Sequence, residues 1–184
     1  MKANSLHELF VKQLKDLYDA EHQLIKTLPK IAKASSSEEL RNAFEEHLEK
    51  TQQHAQRLEE IFEAMGETAK AQKCKGMEGL VKEGSEIIQE EDIGNKVKDA
   101  ALIAAAQRVE HYEIAGYGTV RTYANLLGES EAANLLQQTL EEEKEADQTL
   151  NQLAEQINVE ARQASAEEGT TRRSRAATRR RPAA

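Results

Sequence analysis

Four stretches of the chain put ionisable residues where a helical stripe of apolar side chains should run on. AEHQ carries Glu21, and HLEKTQQH carries His47, Lys50, Thr51 and His54. VEHYEI sets Glu110 and Glu113 at i and i+3, while EEEKEAD sets Glu143 and Asp147 at i and i+4, on the face of Leu136, Leu140 and Leu150. Carboxylates that meet in a core repel one another and lose hydration, at several kcal/mol per ion, unless a cation neutralises them. Asp and Glu clustered with His on facing helices form the donor set of a di-iron or di-manganese carboxylate centre. In such a centre oxygens bridge two ions and imidazole is a terminal ligand. The candidate metal ligands are Glu21, His54, Glu110, Glu113, Glu143 and Asp147. His47 is read instead as a hydrogen-bonded core residue. His22 and His111 directly follow Glu21 and Glu110, so they turn about 100° away from the stripe, towards the flank. The same set also admits a metal-free reading, as a structural polar network. Tyr18, Tyr112 and Tyr117 read as core, and Cys74 lies between two Lys that would lower its pKa if it were exposed.

These residues need helices to position them, and the sequence marks where the helices start and stop. Ser5 and Glu8 form a capping box for a first helix through Leu6, Phe10, Leu14, Leu17, Leu24, Leu28 and Ile31, interrupted at Glu21 and kinked near Pro29. Ser35–Ser37 makes a turn, and Ser36 with Glu39 repeats the capping box for a helix through Leu40, Phe44, Leu48, Leu58, Ile61, Phe62 and Met65, stopped by Gly66. Residues 66–94 hold five of the nine Gly and read as a connection with one short helix. Asn95 caps a long helix through Val97, Ala104, Ile114, Tyr117 and Val120, ended by Gly128, and Ser130 caps the last, through Leu136, Leu140, Leu150 and Ile157. Counted from the two turns, Glu21 and Lys50 lie about 14 residues away, Glu113 and Glu143 about 15, and Glu110 and Asp147 about 18. At 1.5 Å per residue all stand roughly 22–27 Å from the turns. Four helices therefore interrupt their stripes at one level.

The expected fold is all-α: a ferritin-like four-helix bundle over residues 1–163, built as two antiparallel hairpins joined by a long crossover with a short helix. Composition agrees, because aromatics are 4% of the 184 residues and Ala, Leu, Glu, Gln and Lys dominate, which excludes β and parallel α/β folds. A single Cys excludes a disulfide scaffold. The net charge of −8 is split, with −14 on residues 1–168 and +6 on residues 169–184. Residues 164–184 are expected to be a disordered, Arg-rich tail. Its six Arg, spread over Arg172–Arg181, either contact nucleic-acid phosphates or only solvate the chain, and no aromatic is interleaved to stack on bases. The longest apolar run, Ala100–Ala106, is far below the roughly 20 residues of a membrane span. With no signal sequence either, the expected location is the cytoplasm, without membrane contact.

The blocks LYDAEHQL, FEEHLEKT, KCKGMEGL, KDAALIAAAQRVEHYEIAGYGT and LEEEKEAD, in this order over about residues 5–160, resemble the YciE/YciF ferritin-like family of bacterial stress-associated proteins. The resemblance implies a bundle related to rubrerythrin, a di-iron centre and a homodimer. It matches Glu110 and Glu113 to a Glu-x-x-Glu ligand pair, Glu21 to the single acid of the first helix and Glu143 to a bridging Glu. The chain departs from the pattern on the second helix, where Thr51 stands in the Glu place of Glu-x-x-His and Lys50 stands where the family often has an acid. The Lys50 ammonium would then pair with the carboxylates in place of a metal. The expected activity is that of a di-iron (or di-manganese) protein of stress defence, oxidising Fe(II) or consuming peroxide with an external reductant, since no CxxC pairs are present. The alternative is a metal-free helical dimer serving as an interaction module.

Overall fold

A computed structural model describes residues 3–179. The described chain is all helical: α1 Leu6–Ala34, α2 Glu38–Ala64, α3 Lys75–Gln89, α4 Asn95–Leu127 and α5 Ser130–Arg179. No described helix is long and apolar enough to cross a membrane.

The ends follow from local chemistry. Ser5 Oγ accepts from Glu8 N at 3.1 Å, and Glu8 Oε2 accepts from Asn4 N at 2.6 Å, which satisfies donors at the start of α1. Pro29 lies inside α1 without ending it. Ser37, not Ser36, caps α2 by accepting from Leu40 N. Ser36 is diverted by the fully buried Asp99 of α4, whose carboxylate accepts from Ser36 N, Ser36 Oγ and Ser37 N at 2.8, 2.6 and 3.0 Å. The N-cap of α4 is Gly94, without a side-chain bond, so Asn95 is the first helical residue and not the expected cap. Both α2 and α4 end on a glycine with positive φ, Gly66 at 66° and Gly128 at 81°. In each case the next residue's N–H reaches back to a carbonyl of the last turn, Glu67 N to Phe62 and Glu129 N to Ala124.

α1 packs along α2, and α4 along α5. Contacts of α1 with α4 and of α2 with α5 close the cycle, and α3 lies on α4 and α1. The interior divides into two apolar clusters. One gathers Leu24, Leu28, Phe44, Leu102, Ile103 and Leu150; the other gathers Phe10, Leu14, Phe62, Tyr117, Val120 and Leu136. Each long helix contributes to both, and Glu21, His47, His54, Glu110, Glu113 and Glu143 sit near the junction of the two contributions. α5 runs to Arg179, past Arg162 where the apolar period ends. Ala and Arg are good helix formers and extend a helix without needing a core. Arg180, Arg181 and the rest of that expected tail lie outside the described residues.

Candidate metal centre

Glu21 occupies a stripe position of α1 between Leu17 and Leu24, and burial of that stripe carries its carboxylate inward to 0% exposure. Glu113 of α4, Glu143 of α5 and His54 of α2 are equally buried, with Glu110 at 3% and His47 at 7%. One donor atom from each of His47, Glu110, Glu113 and Glu143 falls within 4.8 Å of the others, and the same holds for Glu21, His54 and Glu143. Glu143 is common to both groups. The level count is met: α1, α2, α4 and α5 all contribute at one height.

Most of the buried polar atoms lacking a hydrogen-bond partner among the described residues gather here. They include Glu21 Oε2, both His47 nitrogens, His54 Nδ1, Glu110 Oε2 and both oxygens of Glu113 and of Glu143. Native interiors rarely leave such groups unpaired, and a cluster of them requires a partner. Charge proximity supplies part of one. His54 Nδ1 lies 3.0 Å from Glu143 Oε1 and 3.8 Å from Glu21 Oε1, and His47 Nε2 lies 3.4 Å from Glu110 Oε1.

The electrostatics follow from burial and crowding. Burial first, and then the Glu143 charge, pushes Glu110 and Glu113 well above the usual carboxylate range. Burial also raises Glu21, to about 8, against the opposing pull of His54. Burial works on Glu143 too, but the close contact and charge of His54, with His47 beside it, hold it below its ordinary value. Burial disfavours the His54 cation, yet Glu143, Glu21 and Glu142 around it raise its pKa to about 9. For His47 burial prevails and lowers the pKa.

Outside the cluster, supporting residues hold the ligands in place. His54 Nε2 is 2.9 Å from Glu142 Oε2, and Arg57 grips the same carboxylate through both terminal nitrogens, at 2.5 and 2.9 Å. A histidine fixed this way on one nitrogen presents the other in a set direction. The Tyr117 hydroxyl, fully buried, donates to Glu21 Oε1.

Five of the six residues expected to bind metal therefore converge: Glu21, His54, Glu110, Glu113 and Glu143. Asp147 does not join either group. One turn further along α5 it reaches the rim, where its Oδ2 accepts from Asn151 and its Oδ1 is 3.5 Å from His111 Nδ1. His47, expected as a hydrogen-bonded core residue, belongs to the cluster with neither nitrogen hydrogen-bonded. The available signal was its spacing of seven from His54, two helical turns on one face. Lys50 is not the counter-ion of the carboxylates: its side chain is 40% exposed and pairs with Glu145 of α5 at 3.4 Å. Thr51 is fully buried, and its hydroxyl donates to the His47 carbonyl. Cys74 is not an exposed thiol between lysines. It is buried at the start of α3, where burial pushes its pKa up and its Sγ lies 2.9 Å from the Tyr112 hydroxyl.

Residues 5–163 match the family model described as a domain of unknown function, DUF892. Protein YciF of Escherichia coli K12 is 47% identical over 155 residues, which cover 84% of this chain and 93% of YciF. The chain belongs to the YciF family. The crystal structure of the E. coli stress protein YciF superposes with a TM-score of 0.81 at 46% identity, covering 84% of this chain and 98% of that one. YcfI of Rhodopseudomonas palustris gives 0.78 at 38% identity, covering 80% and 94%. A protein of Xanthomonas campestris shares the fold at 23% identity, with a TM-score of 0.72 over 88% of this chain and 99% of its own.

Proposed function

We propose that this YciF-family chain is a ferritin-like four-helix protein whose buried carboxylates and imidazoles hold two metal ions. The observation that carries this reading is the set of unpartnered donors supplied by all four long helices around a shared Glu143. Charge supports it, since four carboxylates (Glu21, Glu110, Glu113 and Glu143) are neutralised by two divalent cations with both histidines neutral. An all oxygen-and-imidazole donor set suits iron or manganese. Glu143 would bridge, His47, Glu110 and Glu113 would complete one position, and Glu21 with His54 would complete the other.

Two Fe(II) ions held by these residues would supply the two electrons needed, with two protons, to reduce hydrogen peroxide to two waters. The chain's own part is to pre-align the donors and keep bulk water out. Glu142 and Arg57 aim His54 Nδ1 inward, and Tyr117 holds Glu21 by one oxygen, leaving the other for a cation. The single Cys offers no dithiol, so re-reduction needs an external donor. The stress-protein description of YciF is in keeping with peroxide consumption or Fe(II) oxidation as the role.

The test is metal analysis of protein purified without chelator and then titrated anaerobically with Fe(II). About two ions per chain, reduced below one by Glu143→Ala with the helical content kept, is the expected result. No binding at saturating Fe(II) and Mn(II), with an unchanged melting temperature, refutes it. The second reading, a metal-free helical interaction module, is favoured by the ion pairs that His54 and His47 already make with the acids. That null result would establish it.

A further inference from the structure

Between α2 and α5 a pocket of about 60 Å³ opens from the surface onto the cluster. Its floor is His47 of α2 and Glu110 of α4, both over nine-tenths buried. Both His47 nitrogens and Glu110 Oε2 lack hydrogen-bond partners there. Its walls place Ala43 of α2 and Ala146 of α5 beside Phe44 and Leu150. Alanine at a half-buried position on each helix leaves the seam unfilled, whereas a longer side chain on either would close it. Lys50 lines the pocket, and its ion pair with Glu145 runs from α2 to α5. With both partners substantially exposed, such a pair is weak and does not seal the opening.

We propose that this pocket is the binding site and passage for the small oxidant of the centre, and that Ala43 and Ala146 set its size limit. The proposal rests on the metal-centre reading. A volume of about 60 Å³ holds a few water molecules. Hydrogen peroxide, with two heavy atoms and donors and acceptors at both ends, fits and can bond to the His47 nitrogen left free of the cation. tert-Butyl hydroperoxide adds four carbons and exceeds that volume. The ligand class is therefore peroxide or dioxygen, not organic hydroperoxides. On reaction the peroxide O–O bond breaks, two electrons come from the two Fe(II) ions, and two protons from solvent complete two waters.

The experiment compares the wild-type chain with Ala146→Leu and Ala43→Leu, two helix-compatible substitutions at half-buried positions. Three readouts are taken: bound metal, single-turnover oxidation of the Fe(II)-loaded protein, and deuterium exchange at the imidazole Cε1 positions of the metal-free protein. Expected are unchanged metal content and oxidation by hydrogen peroxide slowed at least tenfold in both variants. The wild type should react at least a hundredfold more slowly with tert-butyl hydroperoxide. Exchange at His47 should slow at least threefold in both variants, with His54 unaffected. Retained metal with unchanged peroxide rates, or equal rates with both oxidants, overturns the pocket assignment alone. Absence of bound metal in the wild type overturns the metal-centre reading and the oxidant site with it. In that case an exchange rate at His47 that still responds to Ala146→Leu shows only that the passage is real.

Discussion

Raising the pH on the metal-free protein should destabilise it, and the slope can be worked from two residues. Glu21 has a pKa of about 8 in the fold against an ordinary 4.5, so at neutral pH the folded chain keeps a proton there that the unfolded chain has lost. His54, at about 9 against 6.5, has the same sign. A native state that binds more protons loses stability as pH rises, by about 1.4 kcal/mol per pH unit for each excess proton. From pH 6.5 to 8, one excess proton is therefore about 2 kcal/mol and two are about 4 kcal/mol. Below pH 6.5 the lowered His47 works the other way, and below about 4.5 the stabilisation from Glu142, held near 2 by Arg57 and His54 despite its burial, declines as the unfolded chain takes up a proton there. Glu110 and Glu113, also raised by burial, add to the same sign and outweigh His47, so the metal-free optimum should fall near pH 4.5–5. Metal binding displaces these protons, so the dependence should reverse when the ions are present. Urea unfolding at pH 6.5 and 8.0, in chelator and in saturating Mn(II), measures both arms. A metal-free stability that is flat or rises across this window refutes the argument, as does Mn(II) with no effect at pH 8. Glu21→Gln should remove about one proton's share of the slope.

Three further outcomes can be checked. Thr51→Glu buries an acid two helical turns deep in the polar layer, at a cost of about 2–4 kcal/mol without metal. Much of that loss should return with Mn(II), as read by melting temperature with and without the ion. Asp99→Ala removes three charge-assisted bonds at the start of α2 and should cost about 3–5 kcal/mol in urea unfolding while leaving metal stoichiometry intact. Lys50→Ala should change stability by less than about 1 kcal/mol and leave metal content unchanged, because its ammonium lies at an exposed ion pair.

The core acids were visible in the sequence because a carboxylate inside an apolar stripe breaks a 3.6-residue period, and equal distances from the turns showed that Glu21, Glu113 and Glu143 meet. His47 did not stand out, since an imidazole is an unremarkable core residue until its nitrogens are seen to lack partners. Asp147 follows Glu143 by four residues, which turns it about 40° round the helix to the rim beside His111, while Leu150 further along α5 is buried again. The choice between Ser36 and Ser37 as the cap of α2 depends on Asp99, more than sixty residues away, and so lies outside any local pattern. The continuation of α5 past Arg162 shows that an apolar period reports burial and not helicity. The α2–α5 pocket depends on two alanines on different helices, neither of which means anything alone.

The placement of the ionisable layer between two apolar clusters bears on how the molecule comes apart. Leu14, Phe62 and Leu136 cohere on one side and Leu28, Phe44 and Leu150 on the other, and the same long helices thread both. Between them lies a stratum of buried polar groups, many of whose hydrogen bonds are unmade. Without a cation the two ends can open as separate foldons, each with its own amide-exchange free energy. With two cations in place the stratum becomes the most cohesive part of the protein, and the ends must open together. Metal would then act on this chain as a switch of cooperativity, converting a protein that frays from either end into one that unfolds in a single step.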